Sequence, residues 1–372
     1  MKKLRTFDLA VIGGGITGIG IARKAAAMGF GVILIEQNEV GSGTSGHFHE
    51  LLHSGARYAV NDPVAAKECY LENRALSSKS SLIRRAIRQT GGYFLAITDD
   101  DVAYSEKLVA SCKTIGIPIV EKNIGQFFKK EPYVTKLVKR ALWVPDGFID
   151  GRKTLDINKR LAQEFGAKLL THHKVVSFQK KDKKIEAVII QDSDGQQHTI
   201  FCGFVINAAG AWSASIGKLA GVSIGVVPYR GALIVYKDVL CKSVLNRCHK
   251  PSNGDIVVPT STHTIFGTTS KKTNDVDNFQ IEKDEIEILN REGDLLIPGM
   301  SKHPVETMYA GIRPLFSITD FSDGRDISRS FRVINHKEEG IINFISVIGG
   351  KFTIYERMGD KAVEAMKQNA VL

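Results

Sequence analysis

The chain has 372 residues, too many for one ordinary hydrophobic core, which points to two intimately joined domains. Apolar residues make up 43% and charged residues 24%, as in a soluble globular protein, and the absence of any run of about 18 apolar residues argues against a membrane span. The formal charge of +10 suits an anionic small molecule or an anionic lipid surface, whereas basic residues interleaved with acids, and no nucleic-acid motif, set nucleic acid aside.

The start, "MKKLRTFDLA", has two lysines but no apolar core or small-residue cleavage site, so no signal peptide is expected. Phe7 to Ile12 reads as a buried parallel strand ending in glycine, and Ile16 to Met28 as a helix closed by Gly29. "GVILIE" follows as a second buried strand, completing a βαβ unit. From Asp62 to about Ile87 one or two helices are expected, begun by Asp62-Pro63 as N-cap and first turn. A strand at Tyr93–Thr98 and helices at about Asp101–Thr114 and Thr154–Phe165 come next, the last stopped by Gly166. Residues 168 to 206 read as a meander with "DSDG" as a hairpin turn, and "FVINAAG" as a return to buried strand. Short strands dominate Tyr229 to about Ser270, then a helix at about Lys283–Leu296, strands to Ile348 and a final helix from about Lys351.

Gly13-x-Gly15-x-x-Gly18 lies between the first strand and the first helix. The first glycine makes the tight turn, the second admits a pyrophosphate and the third lets helix and strand pack closely. The helix N-terminus offers free N–H groups to the phosphates. Glu36, at the end of the second strand, is placed to accept from ribose hydroxyls and to repel a 2′-phosphate. After this unit the chain does not continue βαβαβ. It passes instead through "GSGTSG", later "VINAAGAWS" and finally "ISVIGGKF". Three strand-to-glycine junctions far apart suit an extended cofactor held at several points, and FAD fits better than NAD. The fold expected is α/β (α+β): a Rossmann-like FAD-binding domain of discontinuous segments (1–90, 145–220 and 335–372) with an inserted β-rich substrate domain (91–144 and 221–334).

The five cysteines are scattered with no CxxC pair, which argues against an iron–sulfur or zinc site and for a reducing, cytoplasmic compartment. His172-His173 is not read as a metal pair, because adjacent strand residues point to opposite faces. His249-Lys250 reads as a hairpin surface. "KSSLIRRAIR" has apolar residues at helical spacing, read as a solvated helix face or as a helix resting on anionic lipid.

The ordered motifs "GGGITG", "LLHSGARYAV", "NAAGAWS", "NRCHKPSNGDIVVP", "GTTS", "GIRPL" and "GGKFTIY" span nearly the whole chain. Together they resemble the FAD-dependent glycerol-3-phosphate dehydrogenases, above all the large flavoprotein subunits of the anaerobic enzymes, within the D-amino-acid-oxidase-like superfamily. The resemblance implies oxidation of sn-glycerol 3-phosphate to dihydroxyacetone phosphate, with electrons leaving through FAD to a quinone or a partner subunit, and contact with the inner face of the cytoplasmic membrane. Longer members continue into a cysteine-bearing domain that binds a 2Fe–2S cluster, and a chain without that domain is expected here.

A flavin oxidising an anionic alcohol needs cations for the anion, a base for the hydroxyl proton and donors beside the ring. The resemblance assigns Arg57, Tyr58, Arg313, Arg329 and Lys351 to the substrate pocket. Arg329 is equally a surface arginine, with Arg325 and Arg332 nearby. His53 is the candidate proton acceptor, with a structural histidine as the other reading, while Arg313 and Lys351 are the catalytic cations. Lys351 is expected at a helix start, its charge adding to the helix dipole. The expected FAD contacts are Gly13, Gly15, Ile16, Thr17, Gly18, Glu36 and Gln37 in the βαβ unit, and Gly43, Thr44, Ser45, Leu52 and Ser54 just after it. Val175, Ala208, Ala209, Gly210, Gly311, Gly350, Lys351, Phe352 and Thr353 complete the set.

Three positions depart from the resembled pattern: His47 and Glu356 where arginine is usual, and Glu50 where glycine or lysine is usual. An acid facing the phosphate would weaken its binding. Two alternatives therefore stand beside the main reading: an L-2-hydroxy acid such as L-2-hydroxyglutarate as substrate, or a FAD-binding subunit inactive without partners.

Overall fold

The computed structural model describes residues 6–277, 280–317 and 324–370. Runs of Val, Ile and Leu that are buried on both faces favour parallel pairing. Thr6–Ile12 lies between Val32–Ile35 and Gln197–Asn207, parallel to both, with Leu9 opposite Val32 and Phe204. Phe344–Gly349 extends the parallel run, Val205 facing Phe344. The antiparallel strands Lys174–Lys181 and Lys184–Gln191 close one edge of this eight-stranded sheet, and Lys168–Leu170 closes the other. The Ile16–Ala27 helix covers it and packs on the helices Gly151–Glu164 and Tyr355–Ala370. At that contact Arg23 meets both oxygens of Glu356 at 2.6 Å, and Lys24 reaches it at 2.9 Å.

A nine-stranded sheet is built from Gly92–Ala96, Val120–Lys122 and Arg140–Val144 together with six strands between Val226 and Phe316. Its longest pairing joins Val226–Tyr236 to Val305–Phe316, which sets Gly231 opposite Gly311 and Tyr229 opposite Arg313. A helix, Lys283–Leu296, packs on it, Leu289 joining Phe266 of the sheet in one core cluster. Leu51–Leu52, Gly147–Ile149 and Ile87–Arg88 form a third, small sheet. No helix among the described residues is long and apolar enough to cross a membrane.

Several expected elements shift, each for a local reason. The helix begun by Asp62, whose side chain accepts from the Ala65 N–H, ends at Leu76. The following "SSKSS" run offers hydroxyls that compete with the backbone, and Ser78 bonds Ser80. "KSSLIRRAIR" is therefore not a helix but a turn, the 3-10 segment Arg84–Ala86 and a two-residue strand. Thr98 forms a capping box with Asp101, so the next helix starts at Asp99. Asp150 caps the Gly151–Glu164 helix three residues before the expected start. The short helix Ile124–Lys130, capped by Asn123, carries no signal beyond that cap. Gly349 and Gly350 both have positive φ (77° and 75°) and turn the chain. Lys351 is extended and precedes the short 3-10 turn Phe352–Ile354, so the last α-helix begins at Tyr355 rather than Lys351.

Candidate active site

A cavity of about 1240 Å³ runs between the two large sheets. One end is the glycine turn. Gly13 has φ 108°, and a Cβ there would lie 2.6 Å from the Ala208 carbonyl oxygen, so no side chain fits. A Cβ on Gly18 would strike the Gly13 carbonyl, which fixes how closely the helix follows the turn. Gly15 is the N-cap and gives no side-chain cap, leaving first-turn N–H groups open, although Ser45 Oγ accepts from Ile16 N–H at 3.0 Å. Glu36 accepts from Gly14 N–H at 2.6 Å and from Asn38 N–H at 2.8 Å, with lone pairs left over on each oxygen. The tight turn, the uncapped helix end and the strand-end carboxylate fit a dinucleotide. Further along the wall, the Trp212 indole donates to Asp277 at 2.7 Å, joining the first sheet's Gly210–Trp212 turn to a loop of the second.

Of the residues assigned to FAD contact, Gly18, Leu52 and Ser54 stand off the wall and the rest lie on it. Strand alternation explains two of them: Leu51 and His53 face the cavity, so Leu52 and Ser54 face the other way. Leu52 is core, and the Ser54 amide donates to Asp146 at 2.6 Å.

The other end is cationic. Arg313 Nη2 donates to Thr268 Oγ1 and, at 3.0 Å, to the Thr269 carbonyl, while its buried Nη1 has no partner among the described residues. The guanidinium lies across Gly231, where a Cβ would leave it no room. Burial, and then the neighbouring Arg329 and Arg325 charges, hold Arg313 down at about 9. Lys351 Nζ donates to the Arg329 carbonyl at 3.1 Å and sits 4.3 Å from the Tyr58 ring centre. Arg329 itself lines the cavity, its amide held by Asp62 at 2.8 Å. The acids on the described wall, Glu36 and Asp277, are not among the hydrogen-bond partners of Arg313 or Lys351.

His53 is 4% exposed and lies edge-on to His49 and tilted against Tyr58, at centroid distances of 5.2 and 5.3 Å. Burial, then His49, Lys351 and Arg57, drive its pKa well below the ordinary imidazole value, so it stands neutral with one ring nitrogen unprotonated. Arg57 is placed differently from the other cations. Its Nη2 meets both oxygens of buried Asp255 at 2.8 Å, and it stands behind the wall rather than in it. Asp255 lies 198 residues away, and no local pattern announces the pair. His49 is a wall residue that motif reasoning passed over; the run "HFHELLH", with histidines alternating into a strand, carried the signal.

Both departing acids face elsewhere. Glu50 accepts from Gly151 N–H at 2.9 Å, burial raising it to about 7, and Glu356 is held by Arg23 and Lys24. His47 is on the wall, its Nδ1 2.9 Å from the Gly43 carbonyl and its ring edge-on to Tyr309. His172 pairs with Glu39 at 2.9 Å, and His173 turns to the Thr171 carbonyl. Lys250 is an exposed partner of Asp326.

Residues 8–347 match the profile of the FAD dependent oxidoreductase family. The chain is 36% identical over 363 residues to one subunit of the anaerobic glycerol-3-phosphate dehydrogenase of Escherichia coli K12, covering 96% of this chain and 66% of that protein. It is 34% identical to the corresponding subunit of the anaerobic glycerol-3-phosphate dehydrogenase of Haloferax volcanii, covering 95% of this chain and 62% of that protein. The chain thus spans a little under two thirds of the length of these curated relatives. Among solved structures, the L-alpha-glycerophosphate oxidase of Mycoplasma pneumoniae with FAD bound superposes with a TM-score of 0.84 at 19% identity, covering 98% of this chain and 95% of that one. Glycine oxidase from Geobacillus kaustophilus gives 0.80 at 20% identity with the same coverage. At those identities the likeness is one of fold.

Proposed function

This chain belongs to the FAD dependent oxidoreductase family, and from that premise we propose that it oxidises sn-glycerol 3-phosphate at C2 to dihydroxyacetone phosphate. FAD is the cofactor of the family, and its pyrophosphate would lie on the Gly13–Gly18 turn with its ribose toward Glu36. When bound, the flavin supplies the acceptor for two electrons and the C2 hydrogen. The protein's residues do the rest. Arg313, Arg329 and Lys351 hold the phosphate, with the Tyr58 hydroxyl beside them. A ring nitrogen of neutral His53 takes the hydroxyl proton. Burial between the two sheets keeps bulk water from the cations and strengthens each charge-assisted bond.

The observation that carries this reading is the open Arg313 Nη1, a buried cationic nitrogen without a partner among the described residues, in a cavity that Lys351 and His53 also line. A buried charge in that condition calls for an anion to complete it. The orientation of Glu50 and Glu356 supports a phosphate rather than a less charged ligand, since neither opposes it. The names of the most similar relatives support the same substrate, and their being single subunits of a larger enzyme supports electron delivery to a partner protein. A quinone in a membrane is the acceptor further along that route, which brings the protein to the inner membrane face.

Anaerobic addition of sn-glycerol 3-phosphate to the FAD-loaded protein tests this. Stoichiometric bleaching of the flavin is expected, with none from L-2-hydroxyglutarate at equal concentration. Bleaching by the hydroxy acid alone would assign the site to that substrate instead.

A further inference from the structure

His49 stands in the cavity wall beside His53 and takes no part in the scheme above. Its Nδ1 accepts the Leu51 N–H at 3.1 Å. A backbone amide can only donate, so Nδ1 is unprotonated and the neutral ring carries its proton on Nε2. Glu50, between the two, makes this possible. It is a non-glycine residue at φ 54°, in the left-handed region, and the curl turns the Leu51 amide back onto the His49 ring. The turn is tied at both ends: the Glu50 carboxylate accepts from Gly151 N–H at 2.9 Å and its carbonyl from Ile149 N–H at 2.8 Å. Burial, followed by the Arg313 and Arg57 charges and opposed by Asp255, pushes His49 down to about 3, so the ring stays neutral. Among the described residues nothing accepts from its Nε2.

We infer that His49 is a second contact to the substrate's C2 oxygen, its Nε2–H donating to the oxygen whose proton His53 takes. The inference rests on the glycerol 3-phosphate reading. The two rings cross at 74° with centroids 5.2 Å apart and both line the cavity, so an oxygen lying against the pair is within reach of both rings. As the hydroxyl proton moves to His53, negative charge grows on the oxygen. A fixed neutral donor stabilises that charge, and still serves the oxygen once it is a carbonyl. His49 keeps its own proton throughout.

The test compares anaerobic flavin reduction by sn-glycerol 3-phosphate in the wild type, His49→Leu and His49→Gln, each FAD-loaded. His49→Leu should be slower by about 100-fold, the usual loss for one preorganised donor. His49→Gln, whose amide keeps an N–H, should stay within about tenfold of wild type. Competition by inorganic phosphate should be equal in all three, because the donor serves the oxygen end. An unchanged rate in His49→Leu, or glutamine as slow as leucine with FAD in place, overturns the inference. Heteronuclear NMR of histidine-labelled wild-type protein reads the ring independently of turnover. One resonance set, missing in His49→Gln, should show the proton on Nε2 and no titration from about pH 5 to about pH 9. A proton on Nδ1, or a titrating ring, overturns it as well. If the wild-type flavin is not reduced at all, the substrate reading falls, while the NMR result still decides the state of His49.

Discussion

Arg313 carries a desolvated charge with one nitrogen open, so its contribution is realised when an anion arrives. Arg313→Ala should lower kcat/KM by about 2–3 kcal/mol, roughly 30- to 150-fold, with FAD content unchanged; steady-state kinetics and the visible spectrum measure both. Arg57 should behave otherwise. With its partner Asp255 only 2% exposed at the side chain, Arg57→Ala strands a buried carboxylate and should destabilise the fold by about 3–5 kcal/mol. Denaturant unfolding measures the loss, and the double change with Asp255→Ala should restore much of it. The pH profile of kcat/KM follows from the two perturbed groups of the free protein. His53 is depressed, so it is already a base below the ordinary imidazole range, and activity should stay flat as pH falls from about 8 through about 6.5. Arg313 is also depressed, to about 9, so it loses its charge as pH rises through that value, and kcat/KM should fall there. An acid limb near 6.5 would mean that His53 titrates as an ordinary imidazole.

At the scale of elements, the glycine turn is both the most legible part of the sequence and the least tolerant. Gly13→Ala must hold φ 108° and press a methyl onto the Ala208 carbonyl. The strain alone is about 1–3 kcal/mol, and the loss of FAD from the purified protein, read from its absorbance, should be near complete. This turn was readable because its causes are local: a strand, three glycines and a helix in consecutive residues. The failures have equally specific causes. In "KSSLIRRAIR" the apolar spacing is helical, but Ser78 and Ser80 bond each other across the start of the run and no side-chain cap restarts a helix. At Lys351, two left-handed glycines place the lysine in extended backbone before a single 3-10 turn. The ammonium group is positioned by the Arg329 carbonyl and the Tyr58 ring instead of by a helix end.

At the scale of the whole molecule, the cavity gathers the Gly13–Gly15 turn, His49, His53 and Tyr58, then Arg313, Arg329 and the Gly349–Thr353 run, from all parts of the chain. Motifs pointed to most of the residues that line this cavity, because each junction is marked by glycine or a short basic cluster. They could not reveal partners. Whether Glu356 faces a phosphate or Arg23 depends on helix packing 333 residues apart in sequence, and Arg57 is governed by an aspartate 198 residues away, just before the strand Ile256–Pro259. The Trp212–Asp277 bond spans the same two halves along the cavity wall, and the chain has only two tryptophans. That scarcity makes Trp212 a native optical gauge. Loading with FAD should quench its emission by energy transfer to the isoalloxazine, and Trp143→Phe should remove the background without altering the quench. Titrating apoprotein with FAD while following the remaining signal would report cofactor entry and any parting of the two halves in one trace.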